Sequence, residues 1–128
     1  MPEQVPDLGD PRYDRVLYAQ MAALDSTQEA VDIDRKLSAS GQAASRIGLA
    51  KSLANLGNWQ NKLGRNEDAL ASSQEALDTI WPFFLWQPAA VEGDVELILR
   101  NVRFVLETLD RSPSREFLQR MKIFEEER

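Results

Sequence analysis

The chain of 128 residues has the length of one domain, and its 15 basic against 21 acidic side chains leave a net charge of −6, which argues against nucleic-acid or anionic-membrane partners. It holds no cysteine and no histidine, which excludes disulfides, Cys-ligated zinc or iron–sulfur centres, and Ser–His or Cys–His nucleophile pairs. An apolar fraction of 43 % suits a buried core, no apolar run approaches the ~18 residues of a membrane span, and MPEQVPDLGDP lacks the regions of a secretory signal, so a cytoplasmic domain is expected.

Pro2, Pro6, Gly9 and Pro11 predict an irregular tail over residues 1–11. Residues 12–39 contain no breaker and read as one long helix. Leu49, Leu53, Leu56 and Leu63 recur at helical spacing and predict a second helix over 44–63, closed by Leu63-Gly64-Arg65-Asn66. Acidic Glu67 and Asp68 open a third, over 67–81, with Ala69, Leu70, Ala76, Leu77 and Ile80 inward. Pro82 is expected to end it near Trp81 and to leave 82–88 as an irregular bridge. The fourth helix, 91–110, carries Val95, Ile98, Val102, Val105 and Leu109, widened by Leu97, Leu99, Phe104 and Leu106, as for a helix buried on more than one side. Ser112-Pro113 reads as a cap and first position of a last helix over 113–126, with Phe117, Leu118, Met121 and Phe124 apolar.

These segments repeat. ALDSTQEAVD from Ala23 and ALASSQEALD from Ala69 agree at seven of ten positions with an offset of 46 residues. The same offset pairs Leu53 with Leu99, Asn55 with Asn101, Leu63 with Leu109 and Arg65 with Arg111. The chain is therefore a degenerate tandem repeat: 12–43 a partial first repeat, 44–88 a full one, 89–128 a degenerate final repeat with its capping helix.

Leu53, Leu56, Gly57, Ala69 and Ala76 fall where large, Leu-Gly and small residues stand in the tetratricopeptide pattern, which the segment resembles. Gln60 and Ser73 depart from its Tyr and Phe, and Pro82 falls one residue late. The longer period resembles the kinesin-light-chain-like subclass. The resemblance implies an all-α, short right-handed α-solenoid of antiparallel helix pairs, about five helices, and a non-catalytic scaffold or adaptor that binds a protein or peptide on its concave face. It also places Gly57 and Ala69 where the second and third helices approach most closely.

In that arrangement Lys51, Asn58, Lys62, Arg100 and Phe104 are expected on the concave side. The family's carboxylate-clamp positions fall on Ala54, Asn58, Arg100 and Phe104, and of these Asn58 alone fits a clamp. Asn55 and Asn101, beside leucines at equivalent positions, are read as buried braces between neighbouring helices, with ligand contact as the alternative. Ile80–Trp86 holds four of the ten aromatic residues. Its rings either fill the joint between repeats or form an exposed patch of Phe83, Phe84 and Trp86 that docks a partner or a second copy. Trp81 is expected to be buried, and at least one of those three exposed. No phosphate loop, nucleophile elbow or metal-spaced carboxylate cluster is present, so no catalytic, cofactor or metal site is expected. The expected partner is a protein or peptide, or the chain itself. Self-association is the alternative function and an enzyme a remote one.

Overall fold

The computed structural model describes residues 11–127, with side chains from residue 15 onward. They form five α-helices, α1 (Pro11–Ser38), α2 (Ala43–Lys62), α3 (Asn66–Trp86), α4 (Pro88–Thr108) and α5 (Arg115–Glu127), and no strand occurs among the described residues. Each of the first four packs on its neighbour in sequence, and α2 also touches α4, so the fold is an all-α, repeat-like stack. Pro11 opens α1; the rest of the tail expected over 1–11 lies outside the described residues. Among the described residues no helix is long and apolar enough to cross a membrane.

The repeat is visible in how helices stop. After α2, Arg65 N–H donates to the Gln60 carbonyl and Gly64 N–H to that of Asn61; after α4, Arg111 N–H donates to Leu106 and Asp110 N–H to Glu107. These paired bonds satisfy carbonyls that the last helical turn leaves free, and they need one left-handed residue. Gly64 supplies it at φ 79° and Asp110 at φ 54°.

Apolar residues at helical spacing build one core: Leu49, Leu53 and Leu56 of α2, Leu70, Leu77 and Ile80 of α3, and Val95, Ile98 and Val102 of α4. The second and third helices meet closely at the expected residues. A Cβ placed on Gly57 would stand 2.7 Å from Ser73 Oγ and 3.2 Å from the Ala69 carbonyl oxygen. One turn on, buried Ser72 Oγ donates to Gln60 Oε1 at 2.7 Å. The departures from large aromatic residues at positions 60 and 73 are thus filled by a close backbone approach and a polar link.

Helix α3 does not stop at Trp81, and 82–88 is not an irregular bridge: the helix runs through Pro82 to Trp86, and only Gln87 separates it from α4. Pro82 has its ring on the exposed side and removes a helical bond, at a cost of about 3 kcal/mol. Continuing the helix places Phe84 in the core, 5.0 Å from the Trp81 ring and 5.4 Å from that of Phe124. Burial of a Phe contributes about 1.5–3 kcal/mol and each ring pair about 0.5–1.5 kcal/mol more, enough to offset the proline.

The last helix begins two residues later than expected. Ser114, not Ser112, caps α5, its Oγ accepting the Phe117 N–H at 3.1 Å. The helix docks through buried Phe117 and Phe124 and through Arg120, which pairs with Asp78 at 2.6 Å and lies over the Trp81 ring. Ion pairs also tie Arg35 to Glu75 and Arg111 to Glu67 across the outer surface. The Glu75 carboxylate, by accepting its hydrogen bond, holds the Arg35 guanidinium above its ordinary range. Such exposed pairs add little stability.

Candidate binding groove between α2 and α4

Because α2 and α4 are equivalent helices set side by side, their matching faces meet across a shallow groove. Lys51, Asn55 and Asn58 follow at i, i+4 and i+7 on α2, and their equivalents on α4 are Leu97, Asn101 and Phe104. Two small cavities mark the groove. One is lined by Lys51, Asn55, Asp94 and Leu97, the other by Asn58, Asn61, Asn101 and Phe104, with Gly57 and Ser73 at its floor.

Its chemistry is amide and apolar. Leu97 is 42 % exposed and Phe104 55 % exposed, so α4 presents two large side chains to solvent along one helical line. The side-chain amides of Asn55, Asn58, Asn61 and Asn101 make no hydrogen bond to any described residue, and each offers two donors and an acceptor. Lys51 Nζ lies 3.9 Å from Asp94 Oδ2 across one end, so local charge is balanced there. This surface can hydrogen-bond a polypeptide backbone and cover an apolar side chain. It holds no pair of groups arranged as nucleophile and base.

Of the residues expected on the concave side, Lys51, Asn58 and Phe104 come together. Arg100 does not: it faces a separate cleft between α4 and α5, with Glu96, Arg103 and Met121. Its turn of helix points it one side over from Leu97 and Asn101. Lys62, at the end of α2, places its ammonium 4.4 Å from the centre of the Trp59 ring, outside both cavities. The brace reading of Asn55 and Asn101 is also corrected. Asn55 is exposed, Asn101 half-buried, and the buried polar link is Gln60–Ser72 instead.

The aromatic segment divides as its helical phase dictates. Trp81 is buried as expected, and Trp86 is 71 % exposed at the end of α3, next to exposed Leu85. Phe83 is half-buried against the core. Phe84 is core at 1 % exposure and is not a partner-binding residue, because the uninterrupted helix carries it to the same side as Trp81. Leu97 and Asn61 were not among the residues expected to bind. The signal for Leu97 was present: it occupies the repeat position of Lys51, whose exposure it shares.

Among the described residues no cluster of three or more acidic side chains is placed to hold a metal ion. No family model matches the chain, and no curated protein or solved structure matches it significantly.

Proposed function

We propose that the chain is a tetratricopeptide-like interaction module, a non-catalytic adaptor that holds an extended peptide or a helix of a protein partner in the α2–α4 groove. The observation that carries this reading is the pairing of exposed Leu97 and Phe104 with four amides that make no hydrogen bond to any described residue. An isolated exposed leucine is ordinary on a protein surface. Two large apolar residues spaced along one helix, flanked by unpaired donors and acceptors, match the composition of a peptide groove. The tetratricopeptide reading is supported by the 46-residue period and the close Gly57–Ala69 approach.

The reading is tested by capture from a native lysate with the wild-type chain and with Leu97→Ser/Phe104→Ser. Both positions are exposed, so the double variant is expected to stay folded and to lose the specific partner. Equal capture of the same partner by both proteins would place binding elsewhere.

A further inference from the structure

We propose that the cavity bounded by Phe104 is a pocket for a carboxamide side chain, an Asn or Gln of the bound peptide, an inference that rests on the reading of the α2–α4 groove as a peptide site. The cavity has a volume of about 100 Å³ and is lined by Asn58 and Asn61 of α2, Ser73 of α3, and Asn101, Phe104 and Val105 of α4. It is open because its floor is small. Gly57 has no side chain, and Ser73 ends at its hydroxyl.

The Ser73 hydroxyl points to a ligand. Ser73 is 2 % exposed, yet its hydroxyl makes no hydrogen bond to any described residue. Thr27, its counterpart 46 residues earlier in α1, donates to the Ala23 carbonyl of its own helix at 2.7 Å. Ser73 makes no such bond to the matching carbonyl of Ala69; its oxygen stands 2.7 Å from where a Cβ on Gly57 would be. Among the described residues no side-chain nitrogen or oxygen is both fully enclosed and unbonded, so the Ser73 oxygen keeps its access through the cavity that it lines. Native proteins rarely keep a buried hydroxyl without a group to meet it.

The chemistry of the walls selects the occupant. Around that hydroxyl the amides of Asn58, Asn61 and Asn101 also make no hydrogen bond to any described residue, and no charged residue lines the cavity. The site therefore offers donors and acceptors together, without net charge. A carboxamide carries two donors and an acceptor and can meet both kinds. A carboxylate only accepts and an ammonium only donates, and either would be desolvated with no counter-ion beside it. An aliphatic side chain would leave the four polar groups unmet. Size excludes rings: a cavity of about 150 Å³ takes benzene, and this one is smaller. Phe104 and Val105 supply the apolar wall that the methylene groups of Asn or Gln require.

Capped amino acids test the pocket directly. N-acetyl-asparagine methylamide and its glutamine analogue, titrated to tens of millimolar, should shift the side-chain amide NMR signals of Asn58, Asn61 and Asn101 saturably. The alanine, aspartate and lysine analogues should bind at least about tenfold more weakly. Ser73→Ala loses no hydrogen bond to a described residue, so it should keep the urea midpoint of the wild type and bind the asparagine probe about tenfold more weakly. Asn58→Ala, at an exposed site, should do the same. No saturable shift, equal binding of the alanine analogue, or wild-type affinity in both variants would overturn the pocket. Library peptides that occupy the groove without an Asn or Gln would overturn it too, while leaving the peptide groove intact. Saturable binding of the asparagine probe with no peptide captured would uphold the pocket and sink the peptide reading.

Discussion

Gly64 and Asp110 stand 46 residues apart and close α2 and α4 with the same left-handed turn, one at φ 79° and the other at φ 54°. The turn is a requirement of the repeat, and the two residues meet it unequally. Glycine adopts the conformation without strain, whereas Asp110 has a Cβ and sets a negative charge at the negative end of the α4 dipole. Asp110→Gly should therefore stabilise the protein by about 0.5 kcal/mol, and Gly64→Ala should destabilise it by about 1 kcal/mol. Urea midpoints of the two variants check both signs.

The seat of Gly57 admits no Cβ without movement of Ser73 or the Ala69 backbone. Gly57→Ala and Ala69→Leu should each cost about 1–3 kcal/mol through overpacking. Ser73→Gly removes the nearest obstacle, so it should recover part of the loss in Gly57→Ala and show non-additivity in a double-mutant cycle. Strict additivity would mean that the two helices do not meet at these residues.

The buried hydrogen bond from Ser72 to Gln60 predicts an asymmetry. Ser72→Ala strands the Gln60 carbonyl oxygen and should cost about 1–3 kcal/mol, whereas Ser72→Ala/Gln60→Leu removes both polar groups and should cost less than the single change. Thermal denaturation of the single and double variants measures the difference.

Phe84 and Trp86 lie two residues apart on one helix and should respond oppositely. Phe84→Ala opens a cavity beside Trp81 and Phe124 and should cost about 3–5 kcal/mol. Trp86→Ser alters an exposed site and should stay within about 0.5 kcal/mol of the wild type. Chemical denaturation of both variants, with intrinsic fluorescence as the probe, reads the contrast.

Helix number and type were legible because leucine and valine spacing carries them, and the stop at Gly64 because glycine marks a left-handed turn. The run of α3 through Pro82 was not, because a local rule for proline competes with the tertiary burial of Phe84, which depends on where α5 sits. The same gap hid the start of α5: Ser112-Pro113 has the local pattern of a helix start, but the helix that docks Phe117 is capped by Ser114. Of the residues that the resemblance placed on the concave side, Lys51, Asn58 and Phe104 line the groove, but Arg100 was misplaced. A change of three residues, from Leu97 to Arg100, moves a side chain from one groove of α4 to the next.

The most direct measurement of the groove is selection of peptides from a random display library, followed by amide hydrogen exchange of the chain with and without a selected peptide. The account predicts slowed exchange on the facing turns of α2 and α4, from Lys51 to Lys62 and from Asp94 to Phe104, and loss of binding in Phe104→Ser. Peptides that bind Phe104→Ser as tightly as the wild type, or that protect only helices outside α2 and α4, would contradict it.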